Sequence, residues 1–164
     1  MLKIILMIGL PGSGKSTVAE EIVKKDEKTL IISRDAIRTM LCNGYANYKH
    51  TGIKEAHVKS MVVACMKVAL ERGYNVIVDE TNFTKKIRAY WMRMATSIGE
   101  RKGFNVKFMG MWVDTPRKIC VARRMADPKG TNDNWAAIIG NMMTGWQDPT
   151  EDEFQILKRI EYKD

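Results

Sequence analysis

The sequence predicts an α/β domain in which a parallel β-sheet carries helices on both faces. Short apolar runs alternate with stretches of helical periodicity along the 164-residue chain, and this alternation is typical of β-α-β units. The first run, residues 2–8, is apolar almost throughout, as expected for a strand that is covered on both faces. A glycine-rich segment then connects this run to the first helical stretch, where open parallel sheets bind their ligands.

Composition and charge narrow the class of protein. Hydrophobic residues make up 45% and charged residues 28% of the chain, which is ordinary for a single soluble domain. We find no apolar run near the ~18 residues of a membrane span and no signal peptide, so we expect one cytoplasmic domain over residues 1–164 without membrane association. Free thiols are expected for Cys42, Cys65 and Cys120, which form no C-x-x-C pair. The net charge of +8 favours a polyanionic partner without deciding it.

The glycine-rich segment predicts a phosphate-binding loop. Residues 9–17 read GLPGSGKST and match G-x-x-x-x-G-K-[ST] between a predicted strand and a predicted helix. The glycines let successive N–H groups point into one cavity, and the helix adds its unpaired N–H groups. Lys15 would bring charge to the outer phosphates of ATP or another nucleoside triphosphate, and the Ser16 hydroxyl would bind Mg²⁺. The expected nucleotide-binding residues in this loop are Gly9, Pro11, Gly12, Ser13, Gly14, Lys15, Ser16 and Thr17.

The second predicted strand, residues 29–33, leads into Arg34 and Asp35, and residues 36–41 then turn helical. Asp35 therefore lies at the carboxyl edge of the sheet, where ligands bind. A carboxylate there can accept the proton of an acceptor hydroxyl, or it can cap the helix. Arg34 or Arg38 could hold an anionic acceptor.

A polar loop, residues 43–52, follows. Its Tyr45, Tyr48 and Lys49 could stack on and attract a nucleic acid strand, or the tyrosines could anchor the loop to the core. Residues 53–72 have the apolar spacing of an amphipathic helix, which Gly73 would end.

The third predicted strand, residues 74–78, ends in an acidic segment. Asp79 is expected to hold Mg²⁺ through a water molecule, and Glu80 could face the acceptor. Thr81 or Asn82 could cap the next helix, residues 84–101. That helix is rich in Lys, Arg and aromatic residues, so it either lines an acceptor groove or presents a solvated basic face.

The last third of the chain predicts a basic helical lid. Residues 105–113 form the fourth strand, and Asp114 or Thr115 caps a helix with Pro116 in its first turn. The cations of this helix and of the turn-rich segment after it suit a lid that meets the charge of a transferring phosphoryl group. Residues 133–146 form a further helix, capped near residue 132 or 133, and residues 154–162 form a final strand. The candidate lid cations are Arg123, Arg124 and Lys129.

A P-loop with such a lid favours a small phosphotransferase. The chain lacks the Asn-Lys-x-Asp motif of switch GTPases. Residues 1–35 resemble the start of the 5′-hydroxyl polynucleotide kinase domain of phage and bacterial end-healing enzymes, in the opening Lys-Ile-Ile-Leu, the P-loop and the group Arg34-Asp35-x-x-Arg38. The acidic-Thr-Asn segment at residues 80–82 and the Pro-Thr-x-x-Glu segment at residues 149–153 resemble the same family.

The resemblance implies a P-loop kinase that uses ATP and Mg²⁺ to phosphorylate the 5′-hydroxyl end of single-stranded or nicked DNA or RNA. It implies that Lys15 and Ser16 bind the triphosphate and metal, that Asp35 is the general base, and that Arg38 contacts an acceptor phosphate. Lid arginines would grip the donor phosphates, with Arg124 in the catalytic set beside Lys15 and Asp35. The acceptor-binding candidates are Arg34, Asp35, Arg38, Glu80, Thr81 and Asn82.

Two departures from the family leave alternatives open. Lys129 falls near a second lid arginine, and lysine cannot make the bidentate contact of arginine, so Arg123 is an alternative. No Asp-x-Asp-Gly-Thr sequence is present, so we expect any phosphatase or ligase to act in trans. A kinase of a small molecule, such as a nucleoside, sugar, antibiotic or zeta-toxin-like acceptor, is the second reading, and a nucleotide-dependent binding protein is the third.

Overall fold

A computed structural model describes residues 1–163 of the chain. Strands and helices alternate in it, as the sequence predicts. The elements are β1 Leu2–Ile8, α1 Lys15–Lys25, β2 Thr29–Ile32, α2 Arg34–Cys42, α3 Gly52–Glu71, β3 Asn75–Val78, α4 Lys85–Lys102, β4 Val106–Asp114, α5 Arg117–Ala126, α6 Trp135–Thr144 and β5 Ile156–Glu161, with short 3₁₀ turns at Tyr45–Asn47 and Glu151–Glu153.

The strands of residues 1–163 form one five-stranded sheet in the order β2-β3-β1-β4-β5, and every pair is parallel. From β1 the chain crosses through α1 to β2 at one edge, whereas from β3 it crosses through α4 to β4 on the other side of β1. The carboxyl ends of β1 and β3 therefore lie side by side at a topological switch point, the place where open α/β sheets bind ligands. The P-loop follows β1 and Asp79 follows β3.

Helices cover both faces of the sheet, which confirms the predicted fold class. Because side chains alternate along a strand, Ile4, Leu6 and Ile8 point to one face and Ile5 and Met7 to the other. The first face packs against α3 and α4, and the second packs against α1. The buried strand β1 thus fixes the height and direction of the P-loop that leaves it.

The predicted start of α5 is wrong. Asp114 does not cap α5: it is the last residue of β4, and its carboxylate accepts two hydrogen bonds from Arg159. The Thr115 hydroxyl donates to the backbone oxygen of Ser13 at 2.9 Å, so it serves the P-loop instead. Pro116 precedes the first turn of α5 and caps it without a side-chain hydrogen bond.

The caps of α4 and α6 also lie beyond the predicted residues. Thr84, not Thr81 or Asn82, caps α4 by accepting a hydrogen bond from the backbone of Ile87. Asn134, rather than residue 132 or 133, caps α6. The three cysteines are free thiols, as predicted. No helix within residues 1–163 combines the length and the apolarity that crossing a membrane requires.

Candidate active site at the P-loop

Two glycines give the P-loop its shape. Gly12 and Gly14 have φ values of 84° and 99°, which side chains other than glycine rarely adopt. A Cβ atom at Gly12 would also lie 2.5 Å from the backbone oxygen of Cys120 in α5. The loop therefore folds tightly against α5, and α1 begins at its end with its N–H groups unpaired by the helix itself.

Lys15 is buried at the centre of the loop, and its Nζ donates to the backbone oxygen of Leu10 at 2.8 Å. Burial lowers the pKa of Lys15 to about 8; the nearby Asp79 opposes this shift and Arg124 adds to it. The ammonium group thus has one backbone partner and a weakened hold on its proton, so an incoming phosphate would stabilise its charged form.

Ser16 and Asp79 form an oxygen pair beside Lys15. The Ser16 hydroxyl donates to Asp79 Oδ2 at 2.7 Å. A hydroxyl and a carboxylate are the oxygen ligands that Mg²⁺ takes, and this ion keeps several waters and phosphate oxygens in its shell. Residues 1–163 contain no group of three or more His, Cys, Asp or Glu that could hold a metal by themselves. The pair fits a Mg²⁺ ion that arrives with a triphosphate.

A cavity of about 640 Å³ opens over the loop, and we call it the P-loop cavity. Arg123 Nη1 donates to the Gly12 oxygen at 3.3 Å, and its guanidinium carbon lies 5.5 Å from the centre of the Tyr162 ring. The residues predicted to bind nucleotide that line this cavity are Gly12, Ser13, Gly14, Lys15, Ser16, Thr17, Arg123 and Arg124.

A second cavity of about 480 Å³, the Asp35 cavity, lies next to the first. Lys15, Ser16 and Arg124 line both cavities, so the two meet at these residues. Asp35 lines only the second of the two, and one of its oxygens accepts a hydrogen bond from Arg38 Nη1 at 2.8 Å. Its other oxygen accepts a hydrogen bond from Lys129 Nζ.

Ion pairs surround the Asp35 carboxylate. Burial pushes the pKa of Asp35 upward, but the hydrogen bond and charge of Lys129, followed by those of Arg38, outweigh it and hold the pKa below its ordinary value. Arg38 also donates from Nε and Nη2 to both oxygens of Glu55, at 3.1 and 2.6 Å. That hydrogen bonding lowers the pKa of Glu55 to about 2 against the opposing effect of burial. Asp35 is therefore an ionised, oriented carboxylate.

Some residues of the acidic segment after β3 line the Asp35 cavity, and others are buried in the interior. Glu80 and Thr81 line the Asp35 cavity, and Glu80 pairs with Arg34 at 2.7 Å. Asn82, expected to contact an acceptor, is fully buried, and its Nδ2 donates to the Met7 oxygen at 2.7 Å. The acceptor-binding expectation is thus wrong for Asn82, whose amide instead ties the segment to β1.

Three residues expected to contact nucleotide have other surroundings. The Gly9 N–H donates a hydrogen bond to the backbone oxygen of Thr81 at 3.1 Å, and this bond shapes the loop. Pro11 lines the Asp35 cavity rather than the P-loop cavity. The sequence predicts that Lys129 contacts the donor phosphates. In the structure its Nζ donates a hydrogen bond to Asp35 and lies 4.8 Å from the centre of the Tyr45 ring. In this structure Lys129 is a partner of the candidate base.

The two tyrosines of the 43–52 loop have different roles. Tyr48 is buried in the core, as the alternative of an anchoring residue predicts. Tyr45 lines the Asp35 cavity, with Lys129 over its ring. Lys49 is exposed.

Sequence reasoning missed two residues that hold the site together. Glu55 fixes Arg38, whereas the sequence pattern predicts for it only a place in an amphipathic helix. Arg88, counted among the basic residues of α4, is fully buried and pairs with both oxygens of Glu153 at 2.8 Å. Arg88 also donates to the backbone oxygens of Asn82 and Gln147. Charged residues at core-facing positions of a helix were the available signal in both cases.

The parallel sheet, its strand order and a P-loop at the switch point define a P-loop α/β domain with the fold of the P-loop kinases. Comparison with known families agrees: the chain belongs to the AAA domain family, whose model matches residues 4–133.

Individual relatives are larger proteins or share the fold at low identity. A putative bifunctional polynucleotide kinase/RNA ligase of Autographa californica nuclear polyhedrosis virus is 30% identical over an alignment of 105 residues, and the match covers 58% of this chain and 15% of the relative. A chain of the Pnkp1/Rnl/Hen1 RNA repair complex has a TM-score of 0.72 at 23% identity, covering 88% of this chain and 43% of that one. The Mycobacterium tuberculosis APS kinase CysC, in complex with AMPPNP and APS, has a TM-score of 0.60 at 21% identity, covering 96% and 88%.

Proposed function

We propose that this chain is a polynucleotide 5′-hydroxyl kinase, which transfers the γ-phosphate of ATP or another nucleoside triphosphate to the 5′-OH end of DNA or RNA. The observation that carries the proposal is the meeting of two cavities at Lys15, Ser16 and Arg124, with the ionised Asp35 in the second. One cavity suits a triphosphate and the other suits a hydroxyl-bearing acceptor. The viral relative named as a polynucleotide kinase/RNA ligase supports a nucleic acid as the acceptor.

The residues have complementary tasks in this reaction. Asp35 takes the proton of the acceptor hydroxyl while the hydroxyl oxygen forms a bond to the γ-phosphorus. The bond between that phosphorus and the β-phosphate oxygen breaks at the same time. Lys15 and Arg124 stabilise the charge that spreads over the transferring group. Ser16, and Asp79 through water, would hold a Mg²⁺ ion, which would supply positive charge to the phosphates. The hydroxyl would approach Asp35 at a lone pair that Lys129 and Arg38 leave open, or in place of Lys129.

Unpaired donors at the cavities favour an anionic acceptor. The Nε atoms of Arg34 and Arg124 are buried and have no hydrogen-bond partner within residues 1–163. Both arginines line the Asp35 cavity, where phosphate oxygens of a strand are suitable acceptors. Arg38 retains N–H groups beyond those that Glu55 and Asp35 accept, so it can also donate to a phosphate of the acceptor. The remaining acceptor-side candidates, Glu80 and Thr81, can shape the cavity around the acceptor. The net charge of +8 acts in the same direction.

The direct test is phosphate transfer from γ-labelled ATP with Mg²⁺. Acceptors are 5′-OH DNA and RNA oligonucleotides, with matched 5′-phosphate oligonucleotides and free nucleosides as controls. Label on 5′-OH strands alone is the expected result, and the ratio of DNA to RNA product defines the preferred strand. Nucleotide binding without label on any strand would contradict the proposal.

A kinase of a small molecule is the second candidate, because one observation favours it. Glu55 and Asp35 already neutralise much of the charge of Arg38, which leaves fewer cations for a long polyanion. The same assay with a panel of nucleosides, sugars and nucleotides distinguishes the two candidates. Label on a small molecule but on no strand would select the second.

The biological setting follows from the proposed reaction. A 5′-phosphate end is the substrate that a ligase requires, so we propose a role in nucleic acid repair with a ligase or phosphatase acting on the same ends. The cytoplasm of a bacterium or of a phage-infected cell is the proposed compartment.

A further inference from the structure

One part of the Asp35 cavity is apolar and has no task in the proposed phosphate transfer. We call this part the apolar wall; its residues are Phe83, Trp135, Ile138 and Met142. The last three are spaced three and four positions apart, so they share one face of α6. Ile139 on the same helix is fully buried in a separate core cluster. The helix thus presents one apolar face to the core and another to the cavity.

Trp135 adds an unpaired polar group to the apolar wall. Its side chain is nearly buried, with 7% exposed. The indole Nε1 is buried and has no hydrogen-bond partner among residues 1–163, which is unusual because buried Trp N–H groups are normally paired. The guanidinium of Arg124 lies 5.3 Å from the centre of the ring. Trp135 therefore touches the arginine at which the two cavities meet.

The charged residues of the cavity already account for the other parts of an acceptor. Asp35 serves the hydroxyl, and the arginines serve phosphate. A volume of about 480 Å³ exceeds what a hydroxyl and a sugar occupy, so the cavity has room for a further group of the acceptor beside the apolar wall. A planar ring with an apolar face and carbonyl or ring-nitrogen edges suits both the aromatic side chains and the unpaired indole N–H.

We infer that the apolar wall binds the terminal nucleobase of the acceptor strand, with Trp135 donating to an acceptor atom on the base edge. This inference rests on the proposed function. It makes the enzyme dependent on the base of the nucleotide that is phosphorylated, in addition to the phosphate beyond it.

The test compares two 5′-OH DNA oligonucleotides that differ only at the first nucleotide, which carries either thymine or a tetrahydrofuran abasic site. We expect kcat/KM to be at least about tenfold higher for the thymine end, the scale of one base-stacking contact. Met142→Ala should shrink this ratio by lowering kcat/KM for the thymine end alone. Trp135→Phe, which keeps a ring beside Arg124, should shrink it in the same way.

Met143→Ala is the matched control, because it removes the same side chain one position away on the same helix. Met143 lies outside the Asp35 cavity and is 39% exposed, so its variant should retain the wild-type ratio. Equal kcat/KM for the two ends in the wild type would overturn the inference, as would a ratio unchanged in both wall variants or changed equally by Met143→Ala. Failure to phosphorylate either oligonucleotide and the 5′-OH RNA oligonucleotide of the direct test, with ATP still bound, would instead reject the proposed function itself.

Discussion

The P-loop cavity and the Asp35 cavity are built in different ways. The first is centred on one continuous segment, residues 12–18, whose backbone has positive φ values and contacts α5, and residues of β4, α5 and β5 complete its walls. The second collects side chains from α2, the 43–52 loop, the end of β3, the α5–α6 connection and α6. A cavity centred on a fixed backbone segment keeps its shape before any ligand arrives. A cavity lined by side chains from several elements depends on the ion pairs and hydrogen bonds that hold those side chains in place.

The same contrast applies to charge. Lys15, Arg123 and Arg124 at the P-loop cavity form no ion pair with a carboxylate in the described part of the chain. At the Asp35 cavity, each of Arg34, Arg38 and Lys129 is paired with an acidic residue. Positive charge without an acidic partner thus remains on one side, where we expect a triphosphate, while the charges on the other side are paired, so we expect that side to select its ligand by geometry.

The largest effect should come from Asp35→Asn, which removes the base and keeps the shape. We expect kcat to fall by about 10²–10⁴, the usual contribution of a positioned base. The affinity for ATP should change little, because Asp35 does not line the P-loop cavity. Steady-state kinetics and calorimetry measure the two quantities. Asp152→Asn, an exposed acid paired only with Lys85, serves as control; equal loss in both variants would argue against a base.

Arg88→Met should have the next largest effect, on stability. The variant leaves Glu153 buried without its cation, which costs roughly 3–5 kcal/mol when a buried pair is broken. Urea denaturation followed by circular dichroism gives the free energy of unfolding. Arg101→Met on the same helix is the control, since Arg101 is exposed and should matter little. A loss below about 1 kcal/mol, the scale of exposed pairs, would show that the network is not needed.

Gly12→Ala should weaken the P-loop cavity specifically. The new Cβ would meet the Cys120 oxygen at 2.5 Å in a backbone with φ of 84°, and such backbone strain costs roughly 1–3 kcal/mol. We expect ATP affinity to fall by about tenfold or more by the same scale. Gly52→Ala, where nothing lies within 4 Å of the added atom, should bind ATP normally. Unchanged ATP affinity in Gly12→Ala would show that the loop can relax.

The smallest predicted effect is the pH dependence of ATP binding. The pKa of Lys15 is about 8 in the free protein, and bound phosphates should raise it, so above pH 8 binding must take up a proton. ATP affinity should then fall by up to about tenfold per pH unit above 8 and stay level just below it. In Lys15→Arg the cation stays charged, and this slope should disappear. An identical slope in that variant would assign the titration to another group.

Features that depend on a short stretch of sequence could be predicted, whereas contacts between residues far apart in the chain could not. The P-loop and the place of Asp35 follow from short patterns at strand ends, so both could be located without the structure. Glu55 lies 17 residues from Arg38, and Glu153 lies 65 residues from Arg88; nothing in either local pattern specifies the partner. Asn82 misled for another reason. Its polarity suggests a surface role, yet its φ of 47° and its bond to Met7 make it a buried link between strands.

The contact between Lys129 and Asp35 has a consequence for a kinase that idles with ATP bound. Water is present at far higher concentration than any strand end, and it would consume ATP if the general base were free. Lys129 and Arg38 each donate to one carboxylate oxygen and hold the pKa of Asp35 below its ordinary value, so the carboxylate is a weaker base toward a passing water molecule. In the proposed kinase, an acceptor that displaces the lysine would restore the basicity of Asp35, and the ion pair would then act as a guard against futile hydrolysis.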